Sequence, residues 1–84
     1  MSKELNMVCV EWRDARLFSG TYNDEATRKH QMASFKSLGY LISKDKVTTK
    51  LAAEINDEGE YRDVLLIPTG SIVSVTNLIT RSTM

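Results

Sequence analysis

Little in this chain readily marks a function. Among its 84 residues Cys9 is the only cysteine, which excludes an intrachain disulfide and a cysteine-based zinc site. His30 is the only histidine, so a metal held by several His and Cys ligands is excluded as well. No run of eighteen apolar residues occurs, and a membrane-spanning helix is therefore not expected. The first residues, MSKE, lead straight into a strand-like pattern without a signal-peptide core, and a cytoplasmic protein is expected. There is one proline, Pro68, and neither a glycine-rich phosphate loop nor a G-x-S-x-G nucleophile motif is present. Net charge is zero, which argues against tight non-specific nucleic-acid binding, because that affinity comes mostly from neutralised phosphates.

What is present describes a folded protein. The chain is 42% hydrophobic and 26% charged, with apolar residues spread along its length, as in one globular domain. A domain this small has a marginal core unless it is idealised or shared with a partner. Its charges are segregated. Arg28, Lys29, Lys36, Lys44, Lys46 and Lys50 face one acid, Asp45, over residues 28–50; Glu54, Asp57, Glu58, Glu60 and Asp63 face one base, Arg62, over 51–63. Three readings compete for this pattern: a solvated surface, a basic face for an anionic ligand, or opposite patches that meet between subunits.

Hydrophobic periodicity predicts five strands and one short helix. In LNMVCVEWR (5–13), Val8, Val10 and Trp12 share a face and Leu5, Met7 and Cys9 the other, which predicts a strand covered on both sides at least in part, with Cys9 a buried thiol. After a Ser19-Gly20 turn signal comes a helix over about 24–34, capped by Asn23 or Asp24, with acids in its first turn and Arg28, Lys29 and His30 late. From Lys36 onward the pattern is β: Leu38, Tyr40 and Ile42 on one face with Gly39 marking a bulge or bend, then Val47, Thr49, Leu51, Ala53 and Ile55 alternating with polar or small residues. The strand YRDVLLIP is apolar on both faces and stops at Ile67, because proline cannot continue a ladder. Gly70 lets the chain turn into a last strand, SIVSVTNL, and the tail 79–84 is expected to fray. Five short strands in so small a chain predict a barrel.

The sequence resembles a group of short phage and bacterial proteins with a small Sm-like five-stranded β-barrel. The resemblance rests on Trp12, Asp14 and Ala15; Ser37, Gly39, Tyr40, Leu41 and Ile42; Leu51 and Ala52; and Ile67, Pro68, Gly70, Ile72 and Val75. Thr69 stands where such sequences often carry lysine. It implies an all-β barrel with one short helix, an origin in which the cytoplasm is that of a phage's host, and rings in which an edge strand of one subunit pairs with the next. Many Sm-like relatives bind single-stranded RNA. The resemblance implies no established activity.

No residue set specifies a reaction. His30, among Arg28, Lys29 and Gln31, reads as a solvent-exposed histidine of a surface helix. Trp12 and Asp14, two apart on a strand, share a face: together they can stack a base and accept its N–H groups, or Trp12 plugs the barrel end and Asp14 caps the following turn. Phe18, Tyr22 and Phe35 read as core plugs. The expected function is a non-enzymatic, ring-forming binding or scaffold module without cofactor or metal, with Val64, Leu65, Leu66, Ile67, Val73 and Val75 as its oligomer interface. The alternative is a binder of short RNA or a small nucleotide in pockets lined by Trp12, Asp14, Tyr40, Lys44 and Lys46.

Overall fold

The computed structural model describes residues 5–78; the tail 79–84, expected to fray, lies outside them. In chain order come β1 (Met7–Asp14), α1 (Asp24–Arg28), β2 (Ala33–Lys44), β3 (Thr48–Ile55), β4 (Tyr61–Pro68), a 3-10 turn (Thr69–Ser71) and β5 (Ile72–Asn77). All five strands belong to one antiparallel sheet with spatial order β4-β3-β2-β1-β5. The predicted class, all-β with one short helix and five strands, is the observed one. Barrel closure is not: β4 and β5 are the two edges of an open sheet, and no ladder joins them.

The opening begins in β2. Ala33–Tyr40 pairs with β1, whereas only Tyr40–Lys44 pairs with β3, with a bulge between Leu41 and Ser43. Beyond Ala52 the β3–β4 hairpin leaves β2 and pairs with itself alone. Two hairpins thus diverge from a shared base, and the molecule measures 58 × 25 × 21 Å. Its radius of gyration, 17.1 Å, exceeds the roughly 12 Å of a compact domain of this length. Gly39 sits where they part. A Cβ there would lie 2.9 Å from the Ala52 carbonyl oxygen and 3.2 Å from Leu51 Cβ, so its missing side chain lets β2 close on β3. The bulge itself is three residues further on, around Ile42.

The core is small. Val8, Val10, Leu51 and Ile67 are buried together, with Trp12, Leu41, Ile72 and Val75 packed against them. Val8 and Val10 follow the predicted alternation of β1, and its other face is covered in part, as expected: Met7 is exposed and Cys9, expected as a buried thiol, is half-buried. In β3 the predicted inward row survives only at Thr49 and Leu51; Val47 lies in the turn, and Ala53 and Ile55 lie on the diverging hairpin, all exposed. Leu38 is 66% exposed, because its register opposite Cys9 puts it on the face away from Val8 and Val10, and β3 has already left β2 at that level.

The helix is shorter than predicted, ending at Arg28 and not near 34. Asn23 Oδ1 accepts the Ala26 N–H at 2.8 Å, and Arg28–Asp24 and Lys29–Glu25 pairs at 2.7 and 3.6 Å support its single turn. With few apolar positions the helix has no buried stripe to extend. Ala33 is recruited instead to β2, which starts three residues earlier than its pattern suggests because the β1–β2 ladder runs on to Asp14 and Ala33.

Pro68 ends β4 one residue later than predicted, paired with Thr48. The corner after it is set by threonine, not glycine: Gly70 has no left-handed φ, and a Cβ there would meet nothing within 4 Å. Thr69 Oγ1 donates to the Asp45 carbonyl at 2.8 Å and lies 2.9 Å from the Thr49 hydroxyl. A hydroxyl has one proton, so Thr49 donates to Thr69, and the buried Thr49 is satisfied. The Thr69 N–H donates to the Val47 carbonyl at 3.0 Å, tying the corner to the β2–β3 turn. In that turn Asp45 Oδ1 accepts the Val47 and Thr48 N–H groups at 2.8 and 2.7 Å. These bonds, Thr48 first, hold the Asp45 carboxyl below its ordinary value.

Candidate functional site

Three features remain once the fold is accounted for: the sheet edges, a cavity at the free end of the β1–β2 hairpin, and a second cavity at the β3–β4 turn.

Along β4, successive side chains point to opposite faces, and Val64, Leu65 and Leu66 are all exposed, Leu66 by 56%. On the other edge Val73 is 50% exposed. Two of the residues expected at an interface turn toward this chain's own core. Ile67 is fully buried, because its register opposite Thr49 points it into the core, and Val75, opposite Val10, packs half-buried against the same core. The usable part of the β4 edge is bounded by proline at 68 and by Asp63, a non-glycine residue in the left-handed region at φ 57°.

The five residues expected to line a ligand pocket are not together within one chain. Trp12 is at the free end of the β1–β2 hairpin, where its Nε1 donates to Ser37 Oγ at 3.0 Å and its ring lies 5.1 Å from that of Phe35. Asp14, on the same face, accepts the Ala15 N–H at 2.8 Å. Tyr40 faces the opposite side of the sheet, in a row with Met7, Ala52 and Val64. Lys44 and Lys46 flank the β2–β3 turn, about 30 Å along the sheet from Trp12 at ~3.4 Å per residue.

At the free end of the β1–β2 hairpin the segment between the strands folds on itself. The His30 ring stacks on Phe18 with centroids 3.9 Å apart and planes 5° from parallel, and Tyr22 meets it edge-on at 4.6 Å. Arg16 lies over Phe18 at 5.5 Å, and the Tyr22 hydroxyl donates to the Ser19 carbonyl at 2.6 Å. His30, read from the sequence as a solvated helix residue, is therefore half-buried and oriented beyond the helix end. Phe18 and Tyr22 plug no core; they hold this histidine. Beside it lies a cavity of about 370 Å³ lined by Arg13, His30, Gln31, Met32 and Ser34. Arg13 and Ser34 are partners across the β1–β2 ladder. Sequence reasoning missed this group because no local motif links residues 13, 18 and 30; only the turn-back of the segment joins them.

A second cavity, about 730 Å³, opens at the β3–β4 turn and is lined by Glu54, Ile55, Asn56, Glu60, Tyr61 and Arg62. Most of its polar side chains bond one another or the turn backbone. Arg62 pairs with Glu54 at 2.6 Å, and Asn56 Oδ1 accepts the Glu58 and Glu60 N–H groups. Among the described residues no three His, Cys, Asp or Glu side chains are placed to hold a metal, and no helix is long and apolar enough to cross a membrane. Against known proteins, the chain matches no family model, no curated protein and no solved structure.

Proposed function

We propose that this chain is a subunit of a homo-oligomeric ring, an Sm-like, phage-type binding or scaffold module that acts in the cytoplasm through its subunit interfaces and not by catalysis. One observation carries the reading. The sheet is open, and both of its edges present unpaired backbone flanked by exposed apolar side chains, Val64, Leu65 and Leu66 on β4 and Val73 on β5. Such an edge invites a further strand. Antiparallel pairing of β4 with β5 of the next copy uses both edges of every subunit, and a head-to-tail contact of this kind closes into a ring when the rotation allows it.

Surface area supports two interfaces per chain. The accessible surface is 7017 Å², against roughly 5,000 Å² for a compact monomer of this size. Two standard interfaces remove about 1,600 Å² from each subunit, which the excess supplies. Charge supports the head-to-tail direction. In that arrangement the acidic β3–β4 turn (Asp57, Glu58, Glu60) of one subunit and the basic β2–β3 turn (Lys44, Lys46) of the next lie on one rim, about 19 Å apart at four strand spacings.

Native mass spectrometry with light scattering at micromolar concentration tests the reading. The expected result is one closed homo-oligomer; a monomer sinks it.

A further inference from the structure

We propose that the cavity beside His30 binds the phosphate group of a small phosphomonoester. This goes beyond the assembly reading and does not depend on it, since the cavity is built within one chain.

The donors are the first ground. Arg13, His30, Gln31 and Ser34 bring a guanidinium, an imidazole, a carboxamide and a hydroxyl to one concavity. Among the described residues none of these four side chains makes a hydrogen bond or ion pair with another side chain or with the backbone. Local carboxylates do not compensate them. No acid lines the cavity, Asp24 and Glu25 are paired with Arg28 and Lys29, and Asp14 lies on the opposite face of β1, bonded to the Ala15 N–H. Glu11, two residues before Arg13 on the same face, forms no ion pair within 4 Å among the described residues.

Preorganisation is the second ground. A ligand that must order a free histidine loses affinity to that ordering. Here the ring is already held by the Phe18 ring stacked on it and the Tyr22 ring perpendicular to it, with Arg16 over Phe18 adding positive potential nearby. Arg13 and Ser34 project from a paired ladder, not from a loop.

Shape selects the ligand class. Donors arriving from both a strand pair and the segment after α1 suit a tetrahedral oxyanion better than a planar carboxylate, and guanidinium binds phosphate oxygens in pairs. The volume, about 370 Å³, exceeds a bare phosphate and leaves room for a small organic body against Met32.

The chain's single histidine makes the test direct, because its imidazole C–H resonances are unique even in a large assembly. Inorganic phosphate, ribose 5-phosphate, AMP and adenosine are titrated in turn while these signals are followed, with calorimetry in parallel. The expected result is a saturable shift with the two phosphomonoesters, weaker binding of inorganic phosphate and no response to adenosine. Ribose 5-phosphate and AMP of equal affinity identify the phosphate as the recognised group, whereas tighter AMP adds the base to it. Arg13→Ala and His30→Gln are each expected to weaken binding about tenfold or more, the loss of one charge-assisted contact. Sheet circular dichroism unchanged in both variants separates this from misfolding. No saturable shift with any phosphate up to about 10 mM, where affinity would be below any specific contact, overturns the proposal. Adenosine binding as well as AMP, or Arg13→Ala and His30→Gln both binding as the parent does, overturns it equally.

Discussion

Gly39→Ala is the most direct probe of how the sheet is put together. The added Cβ would sit 2.9 Å from the Ala52 carbonyl oxygen and 3.2 Å from Leu51 Cβ, both on β3. A relaxed C···O contact is about 3.3–3.6 Å, so one strand must move by about half an ångström. Neither neighbour yields easily: one is backbone in the β2–β3 ladder, the other belongs to a core residue that is 2% exposed. Overpacking of this kind costs about 1–3 kcal/mol. Against it stands the entropy that alanine removes from the unfolded chain, about 0.4–1 kcal/mol, since Gly39 does not occupy the left-handed region. The net expectation is a loss of about 1–2 kcal/mol, a midpoint some 4–8 °C lower for each kcal/mol in a domain of this size. Gly70→Ala is the matched control, because its Cβ meets nothing and its φ is ordinary; it is expected to be neutral or slightly stabilising. Thermal and urea unfolding followed by circular dichroism, at one fixed protein concentration because association contributes to stability, compares the two. A Gly39→Ala protein as stable as the parent would refute the claim that β2 and β3 meet closely at this residue.

Neighbouring residues of β4 should separate assembly from folding: Leu66→Asp is expected to shift light-scattering mass toward monomer with the circular dichroism unchanged, whereas Ile67→Ala, which empties the core, should lower stability by about 2–5 kcal/mol. The Asp45 carboxyl titrates lower in the folded chain than its ordinary 3.8, so its contribution is complete above pH 3.8 and is lost as pH falls through the lowered folded value; Asp45→Asn should flatten the acid limb of the stability profile, read from urea midpoints against pH. Thr69→Val leaves the buried Thr49 hydroxyl without its acceptor and should cost about 1–3 kcal/mol, and adding Thr49→Val should recover part of that loss in a double-mutant cycle.

Much of the fold is legible in the residues. The five strands, the two consecutive hairpins and the corner after Pro68 follow from alternation, turn chemistry and the limits of proline. What is not legible has a common cause, the long-range choice of partner. Whether Ala33 joins a helix or a strand depends on Asp14 opposite it, not on its neighbours. Val47 alternates correctly with Thr49 and Leu51, yet nothing lies above it to bury it. Ile67 and Leu66 are equivalent in composition, and only register against Thr49 and Lys50 decides which enters the core. At the cavity, the aromatic residues looked like core plugs because a run of apolar rings carries no indication that a histidine twelve residues after Phe18 will stack on one of them.

The division of β2 between two partners has a consequence for cooperativity. Backbone hydrogen bonds join the β1–β5 half of the sheet to the β3–β4 half only over Tyr40–Lys44, while side-chain contact among Val8, Val10, Leu51 and Ile67 spans both halves. Cooperativity between the halves therefore rests on four side chains more than on the ladder. Amide hydrogen exchange should show one common opening free energy in the parent protein. In Ile67→Ala it should resolve into two, with the β3–β4 hairpin opening first while the β1–β2 pair stays protected.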